Sequence, residues 1–212
     1  LPKKMHMKKA VIFDLDGTLV DSMGYWTTLA EEYLRSQGIN PVPPELTARI
    51  EAMTVPESAA LFAEEFPLRK TAREIAAEMY ARIEAHYRQD VPLLPGRREY
   101  LDRLRRDGGR MCVASSTAAA LVELCLERLG IRDDFEFVLS CEQVGADKDR
   151  PDIYLEAARR FGAAPEKIAV YEDALYAAKT AKRAGFYLVG VREQTAAGQW
   201  EALRALADEI LS

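Results

Sequence analysis

The sequence predicts an α/β fold, a doubly wound parallel sheet that carries a small inserted helical domain. Short apolar runs alternate with helical patterns from residue 96 onward, which is typical of a parallel sheet covered by helices on both faces. One further apolar run, at Val11, precedes a long segment with helical spacing. We therefore expect residues 1–20 and 93–212 to form the core, and residues 21–92 to form the insertion.

Helical spacing marks the inserted segment along most of its length. Apolar residues from Trp26 to Leu34 predict a first helix, which Gly38 is placed to end. The segment Thr54-Val55-Pro56-Glu57 fits a capping box at the start of a second helix. An amphipathic pattern from Ile75 to Tyr87 predicts a third. We expect a rigid connector at residues 41–44 and no strand between residues 21 and 90.

The core elements follow from apolar runs that glycines punctuate. After the strand at Val11, further strands are expected at residues 111–114, 137–139, 168–171 and 187–189. The helices between them are predicted to end at Gly108, Gly130, Gly162 and Gly185.

Composition excludes several functional classes. The formal net charge of -5 offers no basic field for a nucleic acid, and no run of apolar residues is long enough for a membrane span.

Cys112, Cys125 and Cys141 are odd in number and widely spaced, which indicates reduced thiols. The first nine residues lack the apolar stretch of a signal peptide, and Met5 or Met7 is a candidate natural start. We expect a cytoplasmic protein, monomeric or weakly homodimeric, with neither nucleic-acid nor membrane partners.

Two carboxylates stand at the end of the first strand. Alternate residues of a strand share a face, so Asp14 and Asp16 can project together from its carboxyl end, and Gly17 allows a sharp turn directly after them. Carboxylates this close repel each other unless a proton or a cation intervenes. A hard, oxygen-preferring ion such as Mg²⁺ is the simplest remedy.

Other polar residues follow later strands. Ser115, Ser116 and Thr117 stand between a strand and a helix, Lys148 lies in a loop after the next strand, and Glu172-Asp173 end a fourth. Taken singly, they have ordinary interpretations as helix caps or a surface lysine. Ligands of open parallel sheets bind beyond the carboxyl ends of the strands, so together they indicate one anion-handling site.

These residues resemble the motifs of the haloacid dehalogenase superfamily, in its phosphatase and β-phosphoglucomutase-like branch. The resemblance extends over about residues 9–190 and implies a Rossmann-like core with a helical cap domain. It rests on four motifs in order: Asp14 to Ser22, Val113-Ala114-Ser115-Ser116, Lys148 with Pro151-Asp152, and Val170-Tyr171-Glu172-Asp173.

The resemblance implies a Mg²⁺-dependent phosphatase that acts on a small phosphate ester through an aspartyl-phosphate. Asp14 would be the nucleophile and Asp16 the general acid and base. Mg²⁺ would be bound by Asp14, by the backbone carbonyl of Asp16 and by Asp173, with Glu172 and Thr18 supporting these ligands.

The phosphoryl group would be bound by the remaining motif residues. The resemblance assigns Ser115, Ser116 and Lys148 to its oxygens. Met23, Tyr25 and Trp26 of the cap would face the substrate, and packing between cap and core is an equally open interpretation of them.

Departures from the family pattern bear on the reaction. Trp26 and Pro56 occupy positions where sugar-phosphate mutases carry a histidine and a basic residue, which favours hydrolysis over isomerisation. Asp149 replaces the usual proline beside Lys148, and Ala174 replaces a serine after the acidic pair. The alternatives are a sugar phosphomutase, a signalling receiver domain and a non-catalytic phosphate-binding module. A receiver domain fits poorly, because its acceptor aspartate lies on a later strand.

Overall fold

The structure is a computed structural model that describes residues 8, 10–50, 53–195 and 197–211. The expectations that residues 1–9 lack signal-peptide features and that Met5 or Met7 is the natural start concern a segment of which only Lys8 is described. The chain forms two compact units. One contains the chain up to Asp21 and from Val91 onward, and the other is Ser22–Asp90.

The first unit is built on a parallel sheet, which confirms the predicted fold class. Its strand order is β3-β2-β1-β4-β5-β6, and neighbouring strands pair in parallel. The strands are β1 Ala10–Phe13, β2 Arg110–Ser115, β3 Phe137–Ser140, β4 Ile168–Glu172, β5 Tyr187–Val191 and β6 Glu209–Leu211.

Helices cover both faces of this sheet. Ile12 faces a cluster that includes Tyr154, whereas Phe13, on the opposite face, packs against Tyr171, which in turn contacts Tyr100. The alternation is the period-two pattern of a strand that is buried on both sides. The helices of this unit are α5 Arg97–Arg106, α6 Ala119–Arg128, α7 Cys141–Val144, α8 Asp152–Phe161, α9 Leu175–Arg183 and α10 Trp200–Leu206.

The second unit is helical, and its described residues contain no strand. Thr54 and Glu57 form the predicted capping box, with the Thr54 amide donating to Glu57 Oε2 at 2.8 Å. Inside the unit the rings of Tyr33 and Phe62 stack at 6.2 Å between centroids. The helices are α1 Met23–Ser36, α2 Pro44–Ile50, α3 Val55–Glu65 and α4 Ala72–Gln89.

Main-chain hydrogen bonds join the segment of the first unit that precedes the insertion to the segment that follows it. The Asp21 amide donates to the Pro92 carbonyl at 2.9 Å, and the Leu94 amide donates to Leu19 at 2.9 Å. Val20 and Leu93 form an antiparallel bridge between them. We call residues 19–21 and 92–94 the clasp.

Four of these helices and strands were not predicted, and the first is the short helix α7, which occupies part of the expected loop before Lys148. The proline-rich connector at residues 41–44 ends in helix α2, because Pro44 occupies its first position, where a missing N–H is harmless. Helix α10 and the short strand β6 extend the core beyond β5. No helix among the described residues is both long enough and apolar enough to cross a lipid bilayer.

Candidate active site

The turn after β1 brings its two aspartates to the carboxyl edge of the sheet. The Asp14 amide donates to the Tyr171 carbonyl at 3.0 Å, so strand pairing continues as far as this buried residue. Gly17 then turns the chain with φ of +78°. A Cβ atom at Gly17 would lie 2.4 Å from Asp173 Oδ2, so only a glycine lets Asp173 approach.

Three carboxylates meet at this edge. Asp14, Glu172 and Asp173 each offer an oxygen that lies within 4.8 Å of the other two, and all three side chains are buried. The sequence predicted that Asp14 and Asp173 would bind metal and that Glu172 would support them. The structure brings all three together.

Lys148 lies inside this cluster rather than on the surface. Its Nζ donates to Asp14 Oδ1 and, at 2.7 Å, to Glu172 Oε1. Only 2% of the residue is exposed, which rules out the ordinary interpretation as a surface lysine. Tyr154 from α8 donates to the same Glu172 oxygen at 2.7 Å. Asp149, the neighbour of Lys148, is exposed.

Burial and mutual repulsion control the ionisation of the cluster. Burial raises the pKa of Asp14 well above its usual range, and Glu172 and Asp173 add to this rise while Lys148 opposes it. Burial, followed by the charge on Glu172, raises the pKa of Asp173 to about 7. Burial disfavours the Lys148 ammonium, but Asp14 and Glu172 outweigh that effect and raise its pKa well above the ordinary value.

This arrangement fits a divalent metal ion. Asp14, Glu172 and Asp173 carry three negative charges when ionised, and Lys148 offsets one of them. Buried carboxylates that are not neutralised take up protons or bind a cation. Carboxylate oxygens are the ligands that hard divalent cations prefer.

The hydroxyl residues at the end of β2 and directly after it have three different environments. Ser115 is buried, and its Oγ accepts a hydrogen bond from the Thr117 amide at 3.0 Å. Ser116 is exposed and donates to Asp147 Oδ1 at 3.2 Å. Thr117 Oγ1 donates to Asp16 Oδ2 at 2.8 Å. Asp16 therefore directs its carboxyl group toward β2, and the metal-ligand role predicted for Asp16 rests on its backbone carbonyl.

Three residues near the site had no predicted role. Arg97 is buried, and its Nε donates to the Thr18 carbonyl at 2.8 Å, while Thr18 Oγ1 donates to Asp173 Oδ1 at 3.4 Å. The second residue is Tyr154, which donates to Glu172. Glu193 is the third: its Cγ would lie 2.9 Å from a Cβ on Gly17. Glu193 stands two residues beyond β5, so extending the strand-end rule to β5 would have found it.

The predicted substrate-facing residues of the insertion lie in the second unit. Trp26 is half-buried and its Nε1 donates to Tyr87 Oη at 2.9 Å. Tyr25 packs on His86 with 4.4 Å between ring centroids, and Met23 is half-buried at the start of α1. These contacts give Trp26 and Tyr25 packing roles within the unit. The substrate role of Met23 and Trp26 stays a prediction.

Comparison with known proteins identifies relatives along nearly the whole chain. The family model for haloacid dehalogenase-like hydrolases matches residues 8–185. Hexitol phosphatase B of Escherichia coli strain K12 is 30% identical over 171 residues, which span 78% of this chain and 75% of that protein. β-Phosphoglucomutase of Bacillus subtilis strain 168 is 31% identical over 191 residues, which span 86% and 83%.

A solved structure gives the same result for the fold. The crystal structure of a Thermotoga maritima protein, provisionally named a β-phosphoglucomutase, superposes with a TM-score of 0.81 at 25% identity. The match covers 96% of this chain and 94% of that one.

Proposed function

Because the chain belongs to the haloacid dehalogenase-like hydrolases, we propose that it is a Mg²⁺-dependent phosphatase that hydrolyses a small phosphomonoester. One observation carries the proposal: Asp14 is buried at a strand end, hydrogen-bonded to Lys148 and beside Glu172 and Asp173. This combination supplies a nucleophile, a cation for the phosphoryl oxygens and ligands for a metal in one place.

Asp14 is the proposed nucleophile of the first step. One of its carboxylate oxygens forms a bond to phosphorus while the bond from phosphorus to the ester oxygen breaks. The electron pair of the broken bond goes to the leaving oxygen, which takes a proton from the neutral carboxyl group of Asp16. The products are the free alcohol and an aspartyl-phosphate.

A water molecule completes the reaction in the second step. Asp16, now ionised, takes a proton from the water as its oxygen bonds to phosphorus. The bond between phosphorus and Asp14 breaks, and its electrons return to the carboxylate. Inorganic phosphate leaves, and Asp16 is neutral again, so both residues have returned to their starting forms.

Charge stabilisation is the task of the surrounding groups. Lys148 and the hydroxyl of Ser115 would bind the transferring phosphoryl oxygens. The Ser116 hydroxyl, also assigned to these oxygens, donates to Asp147 and would have to leave that carboxylate to take the role. Asp14, Asp173 and the backbone carbonyl of Asp16 would hold Mg²⁺, with Glu172 and Thr18 supporting them. When bound, Mg²⁺ would neutralise charge on the phosphoryl oxygens and on the carboxylates.

Hydrolysis is favoured over isomerisation, because Trp26 and Pro56 of the insertion offer no positive charge for a second phosphate. A mutase must bind a second phosphate, and Trp26 and Pro56 stand where the related mutases carry a histidine and a basic residue. Trp26 instead donates its indole N–H to Tyr87. The similarity to both hexitol phosphatase B and β-phosphoglucomutase keeps the mutase as the second candidate.

The cellular compartment is also part of the proposal. Cys112, Cys125 and Cys141 are free and buried, which supports a cytoplasmic enzyme. The expectation of a monomer or weak homodimer stays a prediction.

A panel of phosphate esters with Mg²⁺ tests the proposal, with Asp14→Asn as the inactive control. We expect turnover of small monoesters by the wild-type protein and a loss of at least about 10³-fold in Asp14→Asn, because the nucleophile is removed. Glucose 1-phosphate, if used, should yield glucose and phosphate. Appearance of glucose 6-phosphate would instead establish the mutase, and activity of Asp14→Asn near that of the wild type would refute the nucleophile assignment.

A further inference from the structure

Thr117 is held next to the proposed general acid by the topology of the sheet. Strands β1 and β2 are parallel neighbours, with Phe13 level with Val113, so the turns that follow them lie side by side. This register lets Thr117 Oγ1 donate to Asp16 Oδ2 at 2.8 Å, although the two residues are 101 positions apart in the chain.

The backbone of Thr117 is itself anchored. Its amide donates to the buried Oγ of Ser115 at 3.0 Å. Threonine is branched at Cβ, so few side-chain rotamers compete with the one that reaches Asp16. The Thr117 hydroxyl is therefore held in one position, and its hydrogen bond restricts the rotation of the Asp16 carboxyl group.

The hydrogen bond also distinguishes the two oxygens of the Asp16 carboxyl group. Oδ2 accepts from Thr117, so in the proposed reaction Oδ1 is the oxygen that transfers the proton. Proton transfer to a leaving oxygen requires that the donor atom lie within hydrogen-bond reach of it. Small misplacements of a catalytic group have large kinetic effects.

We propose that Thr117 is a positioning residue, which orients Asp16 so that Oδ1 delivers its proton to the leaving oxygen of the substrate. This inference rests on the proposed phosphatase reaction and extends it to a residue that the motif comparison did not assign. Asp16 is only partly buried, so the bond to Thr117 serves the orientation of the acid more than the stability of the fold.

The dependence on leaving group separates this role from a structural one. Phenyl phosphate and p-nitrophenyl phosphate are similar in size, but nitrophenolate departs readily without a proton, whereas phenolate is a poorer leaving group that benefits from one. The value of kcat/KM reports the step in which the leaving group departs. The ratio of kcat/KM for the two esters, measured in one preparation, does not depend on the fraction of folded protein.

The experiment compares Thr117→Val with Thr117→Ser and with Thr28→Val. Thr28 is an exposed threonine of α1 whose hydroxyl bonds Glu32 and the Gly24 carbonyl. In Thr117→Val we expect kcat/KM for phenyl phosphate to fall about tenfold, as one hydrogen bond to an acidic group is lost, with little change for p-nitrophenyl phosphate. Thr117→Ser should restore the ratio, and Thr28→Val should leave it unchanged.

Asp16→Asn separates failure of this inference from failure of the proposed function. If Asp16→Asn lowers the ratio strongly and Thr117→Val does not, the phosphatase mechanism stands and the positioning role is refuted. An equal loss for both esters in Thr117→Val also refutes it, because a defect in phosphate binding would act on both. If Asp16→Asn leaves the ratio unchanged, the general acid itself is wrongly assigned.

Discussion

Replacing Lys148 with methionine removes the ammonium group from the carboxylate cluster while keeping an unbranched side chain of similar length. The lost contacts are those to Asp14 Oδ1 and Glu172 Oε1, and Lys148 is 2% exposed. Breaking a buried ion pair on one side destabilises a protein strongly, because the remaining charge stays buried without a partner. The metal-free variant should therefore be much less stable than the wild type.

The size of the effect follows from the protonation that the variant requires. With Lys148 gone, the cluster must take up one further proton in the folded state, on a carboxyl group whose ordinary pKa is about 4. At pH 7 that proton costs about 4 kcal/mol, from 1.36 kcal/mol for each pH unit above the ordinary value. This figure lies within the range of about 3–5 kcal/mol that broken buried pairs show.

The sign of the pH dependence is equally definite. The folded variant binds more protons than its unfolded chain, so its stability rises as the pH falls. We expect the deficit relative to the wild type to shrink by about 1.4 kcal/mol for each pH unit between 7 and 4.

Urea unfolding in EDTA and in excess Mg²⁺, at pH 7 and pH 5, measures these effects, and Lys182→Met is the matched control. Lys182 also donates to an aspartate, Asp208, but both side chains are about one-third exposed, so its loss should cost under about 1 kcal/mol. Mg²⁺ should restore much of the stability of Lys148→Met, because a cation replaces the lost charge. A loss at pH 7 in EDTA no larger than that of Lys182→Met would refute the reasoning.

Other expectations concern the same unit of the protein. Gly17→Ala places a Cβ atom 2.4 Å from Asp173 Oδ2, at a position where φ is +78°. The affinity for Mg²⁺, measured by calorimetry, should therefore fall at least about tenfold, and the fold should lose about 1–2 kcal/mol of stability. Unchanged Mg²⁺ affinity would contradict the packing argument. Because Asp173 has a pKa of about 7, protons compete with Mg²⁺, and apparent affinity should drop about tenfold per pH unit below 7; equal affinity at pH 5.5 and 7.5 would exclude this. In the metal-free protein the same proton stabilises the fold fully below about pH 4 and its contribution is lost as the pH rises to about 7. Burial raises the pKa of Cys112 well above its usual range and that of Cys125 to about 11, so a thiol reagent should label neither before unfolding, and rapid labelling of the native protein would contradict their burial.

The sequence predicts the meeting of Asp14, Glu172 and Asp173 because parallel strands fix it. Residues at the carboxyl ends of β1 and β4, or directly after them, must share one edge of the sheet, whatever their rotamers. The fold class follows from the same regularity, since alternating short strands and helices leave few other arrangements. Lys148, in contrast, lies in a loop, and only its family motif indicated that it turns inward.

Contacts that depend on rotamers and loop paths were not predictable in this way. Arg97 is one of two adjacent arginines at the start of α5, and spacing alone does not say which one turns inward to the Thr18 carbonyl. Thr117 has the same hydroxyl chemistry as Ser115 and Ser116, so its bond to Asp16 emerges only from the register of β1 and β2. Strand β6, with three residues, is too short to give an alternating pattern.

The clasp makes the insertion a replaceable module. Asp21 and Pro92 are joined by a main-chain hydrogen bond, so the chain of the core closes on itself where the insertion begins and ends. Segments that start and finish at neighbouring points can be exchanged at little entropic expense. Replacing the insertion with another helical segment between residues 21 and 92 would leave the hydrogen bonds between the strands of the sheet unchanged. The insertion can thus vary in sequence and length without a change in the sheet that holds Asp14 and Asp173.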